Sequence, residues 1–184
     1  MSVAQQLYTL DEYEQMTFDV PTELVRGELV PMPMPGAIHG RICGNVYFAL
    51  ESWNRQSDWG SVTSNDTGVA TEFNPDTARG ADVVAVRWDH LPDRQLPKGC
   101  FRTPPDLIVE VLSPSDRWNE VLAKVSEYLD AGVTEVWVVD HEDRSVDAFR
   151  INQRRRFLGE HAEITSPDLL PGFSCLVADF FRHV

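Results

Sequence analysis

A chain of 184 residues, 42% apolar and 24% charged, reads as one domain (residues 1–184), long enough to bury a real core. Its formal charge of −13 argues against tight, nonspecific gripping of nucleic acid, because phosphate neutralisation by a basic face supplies most of that affinity. No apolar run reaches the length of about eighteen residues that a membrane helix needs, and the start "MSVAQQLYTLDEYEQM" lacks the basic and apolar stretches of a signal peptide.

Cys43, Cys100 and Cys175 are scattered, odd in number and form no C-x-x-C pair, which points to reduced thiols in a cytoplasmic protein rather than a disulfide framework or zinc site. The first ten residues read as loosely attached, residues 1–6 most of all. A short helix is then expected within residues 7–16, with Thr9 as N-cap and Glu12 completing a capping box. "TELVRGELVPM" reads as two strands joined at Arg26-Gly27. Apolar residues at Ile42, Val46, Ala49, Leu50 and Trp53 have helical spacing and predict a helix over 38–53.

Strands are expected at 62–73 and 81–88, followed by a long loop over 89–103. The next elements are a strand at 107–112, a helix at 116–131, which stops at Gly132, and a strand at 135–139. "HEDRSVDAFR" reads as a hairpin continuation, with turn residues Glu142-Asp143 and a strand at 145–150. The tail "SPDLLPGFSCLVADFF" closes the core as a loop and short helix. The order is α/β, a mixed β-sheet with two main helices.

The stretch "LIVEVL" reads as a strand buried on both faces, yet Glu110 stands in its middle. A carboxylate there is costly unless a positive group meets it. Asp106 is on the same face but about 13 Å along the strand, too far to share an ion with it. Asp82 opens "ADVVAV"; if that strand runs antiparallel to 107–112, Asp82 falls beside Glu110, and two carboxylates at a sheet edge suit a hard divalent cation.

On the helix 116–131, Trp118, Val121, Leu122, Val125, Tyr128 and Leu129 span an arc of roughly 120°, and Lys124 falls about 40° outside it. From that flank a lysine can run its methylenes along the core edge and reach the sheet. A Ser113-Pro114-Ser115 turn folds the helix back over the strand. Taken singly, Asp82 also reads as a hydrogen-bonded strand start and Lys124 as a solvated flank. Trp118, Tyr128 and Trp137 read as core aromatics, Arg154–Arg156 as an exposed hairpin charge run, and Ser113 as a turn residue.

With "YTLDEYEQM", "ELVRGELV", "ARGADVVAV", "PPDLIVEVLSPSDRWNEVLAKVSEYLDAGVTEVWVVD" and "LLPGFSCLVADFF", nearly the whole chain resembles the Uma family of restriction-endonuclease-like proteins in the PD-(D/E)xK nuclease superfamily. The resemblance implies a restriction-endonuclease-like core and a metal-dependent phosphodiesterase site. Asp82 matches the first acid, although Ala81 stands where proline is usual, and Glu110 matches the second. Leu112 occupies the usual lysine position, and Lys124 on the next helix takes its place. The resemblance also marks Glu28 and His39 as site residues, although Glu28 equally reads as a solvent-facing hairpin charge and His39 as an ordinary histidine near a helix start.

The expected activity is therefore a Mg²⁺-dependent endonuclease, with Mn²⁺ as an alternative metal, acting on DNA as a homodimer. Asp82 and Glu110 hold the metal in this reading, and Asp82, Glu110 and Lys124 are catalytic. The alternatives are a catalytically inactive binding or scaffolding module, and a hydrolase of RNA or small phosphodiesters.

Overall fold

A computed structural model describes residues 6–113 and 116–184, so Pro114 and Ser115 of the expected turn lie outside the described residues. Helix α1 (Leu10–Glu14) opens the chain, with the Thr9–Glu12 capping box formed. From Tyr8 onward the chain is tied down rather than loose: Tyr8 N–H donates to the Gly27 carbonyl at 2.8 Å, Leu10 N–H donates to Asp76 at 2.7 Å, and Leu10 is buried. The expectation for residues 1–5 lies outside the described residues. Strands β1 (Thr22–Val25) and β2 (Glu28–Pro31) form the expected hairpin. Arg26 and Gly27 turn it with φ of 51° and 80°, the left-handed pair that a two-residue hairpin loop requires.

Helix α2 (Ala37–Ser57) is longer than its periodicity suggested and buries Ile42, Val46, Leu50 and Asn54. Strands β3 (Gly60–Glu72) and β4 (Thr77–Arg87) pair along most of their length; β4 begins before the expected residue 81. The 89–103 loop holds two short 3₁₀ turns, and Phe101 bridges it to β3 through backbone bonds with Gly68 and Ala70. Strand β5 (Leu107–Val111), helix α3 (Trp118–Ala131) and strand β6 (Glu135–Asp140) follow. Gly132, at φ 108°, stops α3 in the left-handed conformation that glycine adopts without strain. Beyond them lie β7 (Ser145–Phe149), β8 (Arg156–Gly159), the short pair β9 (Glu163–Ile164) and β10 (Cys175–Leu176), and α4 (Val177–Phe180).

The main sheet runs β2-β1-β4-β5-β6-β7-β8, with β3 on the other edge of β4. Most neighbours are antiparallel; β5 and β6 are parallel, with α3 as their crossover. On one face, α2 packs Ile42, Val46 and Leu50 against Val83, Leu107, Val109 and Trp137. On the other, α3 packs Val125 and Tyr128 against Val84, Ile108, Val136 and Val138. A mixed sheet flanked by two main helices is thus the architecture, with the tail burying Phe180 and Phe181 beside α2. Leu122, expected within the apolar arc of α3, is instead 36% exposed.

One feature of the sheet positions everything that follows. β1 meets the edge of β4 only at Leu24–Ala78, and β5 meets the same edge at Val83–Ala85. Between these registers, no strand among the described residues pairs with residues 79–82 on that edge. The sheet forks there, and the backbone and side chains of Arg79, Gly80 and Asp82 are left to other groups.

Candidate active site

The fork opens into a cavity of about 570 Å³ whose walls include Glu23, His39, Asp66, Arg79, Gly80, Asp82, Glu110 and Lys124. Carried one residue beyond the Val83–Val109 pair, the antiparallel register of β4 and β5 sets Asp82 opposite Glu110. The Val111 N–H donates to Asp82 Oδ2 at 2.7 Å, so a side chain replaces the missing ladder bond at the fork.

Glu110, 9% exposed, receives Lys124 Nζ on Oε2 at 3.0 Å and the Tyr128 hydroxyl on Oε1 at 2.7 Å. Burial pushes its carboxyl up to about 7; Lys124 works against this, and the charge of Asp82 adds to it. Lys124 also donates to the Gly80 carbonyl at 3.1 Å and lies 3.3 Å from Glu23 Oε1. Burial alone would lower this ammonium, but Glu110 and Glu23 outweigh it and hold Lys124 above the usual lysine range. The expected reach of Lys124 from the helix flank to Glu110 is what the structure shows. Lys124 and Tyr128 are one helical turn apart, so α3 delivers an ammonium and a hydroxyl to the same carboxylate.

His39, in the first turns of α2, places Nε2 3.3 Å from Asp82 Oδ2. That hydrogen bond raises the imidazole above its ordinary value despite its burial. Asp66 arrives by a different device: β3 shifts register between Ser64 and Thr67, and Asn65 and Asp66 adopt φ of 74° and 51°. The resulting bulge brings Asp66 to the cavity wall, where burial and then the charge of Asp82 raise its carboxyl.

Glu28 is exposed and is not among the cavity residues, whereas Glu23 on the partner strand is 5% exposed and faces Lys124. The hairpin contains "ELV" twice, and only its pairing with β4 shows which glutamate turns inward. Glu23 accepts from the Gly80 N–H at 3.0 Å and from Arg79 Nη1 at 2.9 Å; Arg79 in turn grips Glu127 through two bonds, at 3.0 and 2.7 Å. Glu23, Asp66 and Tyr128 are therefore the residues of this cluster that sequence reasoning missed. Tyr128 carried a signal, since it follows Lys124 by four residues.

Asp106 and the Arg154–Arg156 run stand apart from this cluster. Asp106 accepts from the Arg87 backbone and guanidinium, both at 2.8 Å, and does not approach Glu110. Arg154–Arg156 are exposed, as expected; within the run Arg156 bonds Glu135 at 2.8 Å and Arg155 lies 3.1 Å from Asp147.

The chain is thus a mixed α/β protein whose sheet forks around two apposed acids and a lysine. The Uma2 family model, described as "putative restriction endonuclease", matches residues 10–178, and the chain belongs to that family. A solved structure from Anabaena variabilis, described as a "putative nuclease belonging to DUF820", superposes with a TM-score of 0.79 at 20% identity, over 94% of this chain and 97% of its own. It establishes the shared fold. No curated protein matches the sequence.

Proposed function

We propose that this chain is a Mg²⁺-dependent endonuclease that hydrolyses phosphodiester bonds in DNA. The observation that carries the reading is the Lys124–Glu110 contact of 3.0 Å beside Asp82, at the mouth of the forked sheet. The donor set fits a hard cation: Asp82 and Glu110 offer oxygen only, and burial disfavours the charged form of Glu110, a cost that a divalent ion would relieve. Mn²⁺ suits the same ligands.

Asp82 and Glu110 hold the metal in this reading. When bound, the ion supplies Lewis-acid stabilisation of the phosphate charge and makes a water more acidic. Lys124, kept protonated by its two glutamates, orients that water or meets the negative charge that builds in the transition state. Tyr128 fixes the Glu110 carboxylate, and Glu23 with Gly80 fixes the ammonium. His39 stands beside Asp82 as a donor to a phosphate oxygen. Cleavage of both strands of a duplex calls for two such sites, and a homodimer supplies them.

A second reading within the same chemistry has RNA or a small phosphodiester as the substrate, and the net charge of −13 favours the small ester, which needs no extended basic face. Incubation with Mg²⁺ of plasmid DNA, single-stranded DNA, RNA and an activated phosphodiester decides between them. DNA cleavage that disappears in Lys124→Met supports the first reading. Cleavage confined to RNA or the small ester supports the second, and no cleavage of any substrate by folded protein refutes both.

A further inference from the structure

Cys43 has no part in the proposed hydrolysis, yet its thiol stands among the groups of the site. It lies four residues after His39 on α2, in "HGRIC", so both side chains leave the same helix face. Cys43 Sγ is 3.5 Å from His39 Nδ1, and His39 Nε2 is 3.3 Å from Asp82 Oδ2. One sulfur, one imidazole nitrogen and one carboxylate oxygen from these residues all lie within 4.8 Å of one another. Among the described residues no other group of three histidine, cysteine or acidic side chains converges in this way.

These donors differ in kind from those of Asp82 and Glu110. Mg²⁺ gains little from sulfur or imidazole, whereas thiolate, imidazole and carboxylate together suit an ion of the zinc class. Zinc binds sulfur at about 2.3 Å and nitrogen or oxygen at about 2.0–2.2 Å. At tetrahedral angles those bonds hold sulfur about 3.6 Å from nitrogen, and nitrogen about 3.4 Å from oxygen. The two short contacts use opposite nitrogens of the ring, so one of them stands as an edge of such a tetrahedron. The other edges, within 4.8 Å, close as the ion draws in its donors.

We propose that His39, Cys43 and Asp82 form a three-ligand site for a thiophilic divalent cation such as Zn²⁺. On binding, the Cys43 S–H bond breaks, its proton leaves to solvent, and the thiolate donates an electron pair to the ion. His39 binds through one neutral-imidazole nitrogen, and a water completes the fourth position, as at open zinc sites. Asp82 belongs to both donor sets, so the soft ion displaces the hard one. That last consequence rests on the hydrolytic reading; the site itself does not.

Co²⁺ is the probe. Titrated into the metal-free full-length chain without nucleic acid, it gives a thiolate-to-cobalt charge-transfer band that saturates at one ion per chain and is bleached by Zn²⁺. Cys43→Ser abolishes the band, whereas Cys100→Ser and Cys175→Ser keep it. Absence of the band from wild type at saturating Co²⁺, or its persistence in Cys43→Ser, overturns the proposal. Should Cys43→Ser fail to fold, His39→Gln carries the same test: Zn²⁺ affinity falls by at least about tenfold, and unchanged affinity overturns the proposal. The two readings fail separately, because a chain that binds cobalt through Cys43 but never cleaves DNA keeps this site. A chain that cleaves with Mg²⁺ and shows no band loses it.

Discussion

Replacing Glu110 by glutamine keeps its shape and removes its charge, and the structure sets how the stability of the metal-free protein should respond to pH. Burial raises the carboxyl from its ordinary 4.5 to about 7. The folded state therefore holds the proton more tightly than the unfolded state, and stability is lost as pH rises from about 4.5 to 7. At about 1.4 kcal/mol per unit, the whole window corresponds to at most about 3.5 kcal/mol, and the part between pH 5 and 8 to roughly 2–3 kcal/mol. Urea unfolding of wild type and Glu110→Gln in the presence of a chelator, at pH 5, 6, 7 and 8, measures this directly. Taking the difference between the two proteins cancels the other titrating groups, His39 included. The wild type should lose about 2–3 kcal/mol relative to Glu110→Gln across the range. Millimolar Mg²⁺ should restore that loss at pH 8 and have little effect at pH 5, where the ligand is protonated. A difference that stays flat with pH would refute the claim that burial costs Glu110 its charge.

Lys124→Met should lower Mg²⁺-dependent cleavage by on the order of a hundredfold or more while circular dichroism stays unchanged, since the lost group acts on transition-state charge. Glu23→Gln should lower cleavage on plasmid DNA by weakening the hold on Lys124, whereas Glu28→Gln, exposed on the same hairpin, should change neither activity nor stability beyond about 0.5 kcal/mol. Glu135→Ala should destabilise by about 3–5 kcal/mol in urea unfolding, because it strands two arginines that now share a fully buried carboxylate.

The parts of the site that were legible in the sequence are those where a residue violates its local context. Glu110 stands out in "LIVEVL" because an apolar strand has no reason to carry a charge. Asp82 followed from the pairing of two adjacent strands, and Lys124 from helix geometry; both inferences span short stretches of chain. Glu23 needed more, since β1 joins β4 across some fifty residues of sequence, and neither copy of "ELV" says which way its glutamate turns. Asp66 was hidden for a related reason: a bulge breaks the alternation from which strand faces are read. Tyr128 was read as a core aromatic, and its ring is buried as expected; its hydroxyl had a partner only once Glu110 was in place. The ion pair of Arg156 was not legible, because its partner Glu135 lies about twenty residues upstream on a strand with which β8 does not pair.

The central claim is that Glu110 is tolerated inside β5 because it and Asp82 share a divalent cation. Calorimetric titration of Mg²⁺ at pH 8 into wild type, Asp82→Asn and Glu110→Gln tests it most directly. The account predicts one ion bound per wild-type chain and none bound by either folded variant. Equal binding by all three proteins would contradict it.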